Sequence, residues 1–147
     1  KLSNFNFYSK LKNLAVSFAV RDKISFVPRI PFEDMMQYTF NADIGLSLDK
    51  GTNQNYSISL PNKLFEYIHA EIPFIITPLS EIKSVVETLN VCDFLVNHHP
   101  ANIANQINSL LNDKDKRKFY SENSKKVKQI LCWEEEQKKI IDLLSNI

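Results

Sequence analysis

Glycine is almost missing from this chain of 147 residues: Gly45 and Gly51 are the whole supply, where average usage of about 7% would give about ten. A glycine-rich loop that cradles a phosphate is thereby excluded within these residues. Cysteine is as scarce. Cys92 and Cys132 are too few for a disulfide scaffold and lack metal-ligand spacing, so they read as buried free thiols. No excess charge of one sign is present either: 18 Lys and Arg stand against 17 Asp and Glu, a formal net charge of +1. Binding to a phosphate backbone needs a basic surplus, so nucleic acid is not an expected partner. Long apolar runs are lacking too. Stretches such as Pro73 to Ile76 fall far short of the roughly 20 residues needed to cross a bilayer. The opening Lys1-Leu2-Ser3-Asn4 has no signal-peptide core, and a reducing, cytoplasmic setting fits.

What the chain does contain is the material of one ordinary soluble domain, with 44% hydrophobic and 24% charged residues. Lys, Asn and Ile occur 15 times each, a bias typical of AT-rich bacterial genomes. Apolar residues at helical spacing predict an amphipathic helix over Phe5 to Val20. Ile24 to Val27 reads as a short strand stopped by Pro28, and a helix from Phe32 to Asn41 follows Pro31, with Glu33 and Asp34 in its first turn. Asp43 to Leu48 reads as a second strand, and the polar stretch Asp49 to Ser59 as a loop. Pro61 is placed at the first position of a helix whose Leu64, Phe65, Ile68 and His69 share a face. A buried strand over Pro73 to Thr77, a helix from an N-cap at Ser80 to Leu89 and a strand over Asp93 to Val96 continue the alternation.

Strands separated by ten-residue helices are βαβ units, so the fold class is α/β, an open parallel sheet of Rossmann type covered by helices on both faces. After Pro100 the pattern is helical only: Ala101 to Leu111, Asp113 to Leu131 and Trp133 to Ile147. Residues 1–147 read as one domain, with 113–147 as its C-terminal helical extension. A doubly wound sheet is built outward from a first central strand, and no such strand precedes the first helix. The chain therefore reads as a fragment of a larger fold.

Ligands of such sheets bind beyond the carboxyl ends of the strands, so Pro28–Pro31, Asp49–Leu60 and Thr77–Ser80 are expected to share one rim. The free N–H groups of the helix that begins near Pro61 would hold a phosphate there. The segment from Ser59 to Ser80, which contains LPNKLFEYIHAEIPFIITPLS, closely resembles the sugar-nucleotide-binding motif of GT-B glycosyltransferases. The likeness is to the retaining group 1, family 4-like enzymes. It extends over most of the chain, through Asp22-Lys23-Ile24-Ser25-Phe26-Val27, Asn41-Ala42-Asp43-Ile44-Gly45-Leu46 and the late Trp133-Glu134.

The resemblance implies the C-terminal, donor-binding domain of a hexosyltransferase that transfers sugar from a nucleotide-sugar to a glycan or lipid-linked acceptor in bacterial surface polysaccharide synthesis. Glu66 matches the family glutamate that accepts hydrogen bonds from the donor ribose. Ser59, Leu60 and Asn62 would lie near the diphosphate, and Arg29, in the turn Val27 to Ile30, near the base. No metal or cofactor is implied, the nucleotide-sugar being substrate. The acceptor would be held by an N-terminal domain of the same enzyme, which leaves the isolated fragment inactive. Peripheral association with the inner face of the membrane is implied as well. The alternative is a non-catalytic nucleotide-sugar-binding or interaction module.

Three departures from the family pattern stand out. Ile58 occupies the place, eight residues before Glu66, where family members often carry the acidic residue that contacts the donor sugar. Glu71 stands in place of the usual turn glycine, and the glycine expected near Cys92-Asp93 is also replaced; both are tolerable if those turns avoid positive φ. The family's basic diphosphate clamp follows the strand that this sequence lacks. Of the remaining candidates, His98 and His99 read as solvated loop residues, since no carboxylate or Cys ligand lies at useful spacing. His69 reads as packed or capping. The seven Lys and Arg of Lys114 to Lys128 read as a solvated helix face in preference to a membrane patch. Trp133 reads as core.

Overall fold

The computed structural model describes residues 2–52 and 54–145. Asn53, in the expected polar loop, Lys1 and the final Asn146 and Ile147 of the expected last helix lie outside the described residues. The chain divides into two compact units, 1–31 and 32–147.

In the first unit, helix α1 spans Leu2–Ser17, and a 3₁₀ turn follows over Arg21–Lys23. The helix ends in a Schellman motif: Ala19 at φ 54° gives its N–H to Val16 and Val20 gives its own to Ala15. The strand expected over Ile24 to Val27 does not form. Ile24 leaves the 3₁₀ turn in extended conformation, but the run pairs with no strand among the described residues. A β-rich run becomes a strand only where a neighbour takes its hydrogen bonds.

The second unit runs α2 (Phe32–Phe40), β1 (Gly45–Ser47), α3 (Gln54–Ser57), α4 (Asn62–His69), β2 (Phe74–Ile76), α5 (Ser80–Val86), β3 (Cys92–Phe94), α6 (Pro100–Asn112), α7 (Lys114–Val127) and α8 (Trp133–Ser145). The three strands form a parallel sheet in the order β1-β2-β3, with Leu46 opposite Ile75 and Ile75 opposite Asp93. This is the Rossmann-like α/β arrangement expected. The central strand explains the layers. Phe74, Ile75 and Ile76 are all fully buried, and their alternation sends them to opposite faces. Phe74 and Ile76 join Leu64, Ile68, Ile82, Val86, Val91 and, from the end of α7 that reaches α4, Val127 on the side of α4 and α5. Ile75 packs with Leu95, Leu110 and Tyr120 on the side of α6 and α7.

Several local expectations are corrected. The expected loop after β1 contains the short helix α3. Pro61 is the N-cap of α4, not its first residue, at φ −74° and ψ 141°. Leu79, not Ser80, caps α5, because the Ser80 hydroxyl donates instead to the Ser57 carbonyl at 3.0 Å. The turns without glycine keep positive φ after all: Glu71 sits at 58° and Asn90 at 52°, while neither glycine has positive φ. Gly45 is needed for another reason. A Cβ there would lie 2.8 Å from the Tyr67 ring, which crosses β1 to donate its hydroxyl to the Leu46 carbonyl at 3.0 Å.

Candidate functional site

β1 and β2 end side by side at Ser47 and Ile76, and the chain turns outward at Leu48-Asp49 and Thr77-Pro78-Leu79. The Thr77 N–H closes the two ends by donating to the Ser47 carbonyl at 3.0 Å. Beyond them opens a cavity of about 310 Å³ lined by Ser47, Asp49, Ser59, Pro61, Asn62, Lys63, Thr77, Leu79 and Ile82. Two of the loops expected on one rim therefore meet here. The third, Pro28–Pro31, belongs to the other unit, where Arg29 is exposed.

The start of α4 forms one wall. A proline N-cap brings no side-chain acceptor of its own, and the dipole of the helix favours an anion at this end. Lys63 adds a cation, 4.0 Å from the Asp49 carboxylate. Asp49 is itself held from beneath: the buried Ser47 hydroxyl donates to its Oδ2 at 3.1 Å. Of the residues singled out from the sequence, Ser59 and Asn62 line this cavity.

Asn62 also lines a second, larger cavity of about 770 Å³, together with Phe32, Glu33, Met36, Gln37, Phe40, Phe65, Glu66, His69 and Trp133. Glu66 follows Asn62 by four residues, so both stand on one side of α4. Leu64 and Ile68, on the opposite side, are fully buried. Leu60 lines neither of these cavities; it faces a third, with Phe65, Val85 and Trp133.

His98 was missed by sequence reasoning as a fixed residue. Its Nε2 lies 3.2 Å from the Leu48 carbonyl and 3.3 Å from the Thr77 hydroxyl. A carbonyl only accepts, so Nε2 carries the proton, and the ring joins the loops after all three strands. His99, exposed, is the N-cap of α6. Of the two roles expected for His69, packed or capping, it takes the first: half-buried, it is held with Nε2 3.0 Å from the Leu131 carbonyl. Trp133 is a correction: it is 65% exposed and lines cavity walls, not core. The basic stretch is a solvated face in part: Lys114, Lys118, Lys125 and Lys126 are exposed, and the other three are tied to the protein. Lys116 and Lys128 pair with Asp93 and Glu71, and Arg117 donates to the carbonyls of Leu110 and Leu111 that end α6.

Burial shapes the titrating groups around the sheet. It raises the Tyr67 hydroxyl above its usual range, and it pushes the Cys92 thiol up to about 12 with help from the Asp93 charge. Tyr120 is raised by burial and by its 2.7 Å hydrogen bond to Asp93. Both cysteines are free and half-buried. Among the described residues, no helix is long and apolar enough to cross a membrane.

Compared with known proteins, residues 6–127 match the family model described as glycosyl transferases group 1. No curated protein and no solved structure matches the chain.

Proposed function

The chain belongs to the group 1 glycosyl transferases, and from that membership we propose that it is the donor-binding domain of a GT-B enzyme that moves a hexose from a nucleotide-sugar to an acceptor hydroxyl. The observation that carries this reading is the pairing of two adjacent cavities across one helix, α4. The helix start and Lys63 lie in one, Glu66 in the other, and Asn62 in both. A nucleotide-sugar has the same division. Its diphosphate suits a helix start and an ammonium, and its ribose diol offers two donors to a carboxylate that only accepts.

In this reading the diphosphate lies at the start of α4, near Ser59 and Asn62, with Leu60 behind them. Glu66 takes the ribose hydroxyls. When the bond from the anomeric carbon to the diphosphate breaks, the leaving oxygen gains negative charge, and the helix dipole and Lys63 stabilise that charge. The acceptor comes from an N-terminal domain of the same enzyme, so residues 1–147 alone bind donor without turning it over. The setting is bacterial surface polysaccharide synthesis on the cytoplasmic side of the membrane, with peripheral contact through exposed lysines of α7 such as Lys114 and Lys125.

Calorimetric titration with UDP, GDP and ADP tests the reading. One of them should bind more tightly than the free sugar, and absence of binding by a folded chain would overturn it. Ile58, exposed and apolar where a family carboxylate often stands, favours a second reading, a nucleotide-sugar-binding module without chemistry. Turnover of a nucleotide-sugar by the full-length protein separates the two.

A further inference from the structure

The side chain of Ile58 is 59% exposed and is not among the residues that line the cavity at the strand ends, so that place in the chain contributes no polar group to it. The cavity nevertheless holds a carboxylate, that of Asp49, at the turn after β1. Asp49 is a fixed acceptor. Ser47, itself 1% exposed, donates to Oδ2 at 3.1 Å, and the Lys63 ammonium stands 4.0 Å from the same oxygen. Among the described residues, Oδ1 accepts no hydrogen bond.

A pocket that held only a diphosphate would gain nothing from an anion among its walls, since like charges at these distances repel. A ligand that is anionic at one end and rich in hydroxyls at the other accounts for both charges. Lys63 and the α4 start match the phosphates, while an ionised carboxylate is the strongest acceptor a sugar hydroxyl can meet. We propose that Asp49 binds the hydroxyls of the donor sugar, taking over from a different loop the part that Ile58 cannot play. The proposal rests on the donor-site reading above. It makes Asp49 a sugar-binding residue that separates a nucleotide-sugar from its nucleoside diphosphate. Ser47 is then a positioning residue acting through it.

The test measures two affinities in the full-length protein, for whichever of UDP, GDP or ADP it binds and for the matching UDP-glucose, GDP-mannose or ADP-glucose. Asp49→Asn keeps the size of a partly exposed side chain, and its melting curve serves as the folding control. It should weaken the nucleotide-sugar by about tenfold or more. The nucleoside diphosphate should be unchanged or a few-fold tighter, because a negative charge has left its neighbourhood. Ser47→Ala should move the same ratio in the same direction by a smaller factor. Equal losses for both ligands would reduce Asp49 to a prop for Lys63, and unchanged affinities would remove it from the site; either result overturns the proposal. If the wild-type protein binds no nucleotide, the donor-site reading fails and this assignment fails with it.

Discussion

Glu71 offers a test whose sign, not only its size, is set by the backbone. It is the residue after the C-cap of α4, at φ 58°, and the hydrogen bonds around it are those of a Schellman motif. Its N–H reaches the Ile68 carbonyl at 3.1 Å, and the Ile72 N–H reaches Tyr67 at 3.2 Å. Ile72 is buried with Met36 and Ala70, and Tyr67 packs against the same cluster, which completes the hydrophobic contact of the motif. A left-handed conformation costs an L-residue about 1–2 kcal/mol, and Glu71 partly offsets this through its ion pair with Lys128, both side chains being about two-thirds buried.

Replacing Glu71 with alanine keeps the strained conformation and removes the pair, a loss of about 1 kcal/mol. Replacing it with glycine also removes the pair, but it relieves the strain at an entropic cost of about 0.5–1 kcal/mol in the unfolded chain. Glu71→Gly should therefore come out within about 1 kcal/mol of wild type, and above Glu71→Ala by up to about 1.5 kcal/mol. At this chain length that is a few degrees in Tm. In ordinary helix or strand backbone the order is the reverse, with glycine the less stable. Thermal and urea melts of the two variants decide it, and Lys128→Met in each background measures the ion pair separately. If Glu71→Ala exceeds Glu71→Gly in stability, the left-handed cap is wrong, and with it the account of how a glycine-poor chain closes the helix that carries Asn62 and Glu66.

Glu66→Gln should weaken binding of the nucleoside diphosphate by roughly tenfold to a hundredfold, about 1.5–3 kcal/mol. The thermal midpoint should move little, and calorimetry beside a melting curve shows whether affinity or stability carries the change. Gly45→Ala should destabilise by about 1–3 kcal/mol, because the new methyl meets a Tyr67 ring tethered at Leu46; Tyr67→Leu in the same chain should recover part of the loss. Cys92 and Tyr120 hold their protons more tightly folded than unfolded, so their contribution is complete below the unfolded values and is lost as pH rises from about 9 toward 12. Melts across that range should show a steeper alkaline fall for wild type than for Cys92→Ala with Tyr120→Phe. Iodoacetamide at pH 8 should leave Cys92 unmodified in the folded protein.

Which parts of this molecule could be read from the sequence follows from the range of the forces that place them. The run Pro73 to Thr77 declares a buried strand because a residue apolar on both sides needs cover on both sides, and the helical periods on either side of it imply that cover. Parallel pairing and the two helical layers both follow from that local pattern. Ile24 to Val27 has the same local character without the neighbour, and pairing is not a local property. Trp133 shows the same limit on the surface, since an apolar residue announces burial but not what covers it.

The site divides along the same line. Asn62 and Glu66 could be placed together because four residues on a helix fix a shared side. Asp49 and Ser47 could not, because the cavity that they line is assembled across the sheet, and the place of His98 is set the same way. His98 finds Leu48 across 50 residues and Thr77 across 21, distances over which spacing carries no information. The scarcity of glycine misleads in a related way. Glycine lowers the cost of positive φ but is not required for it, and where a helix must turn into a buried strand within four residues, as α4 does before Phe74, tertiary packing imposes the conformation on the residue present. A departure from a family's glycine pattern is thus weak grounds for lost function. A departure at a ligand-binding carboxylate weighs more, because no packing force can supply the missing charge, and another residue at the same cavity has to provide it.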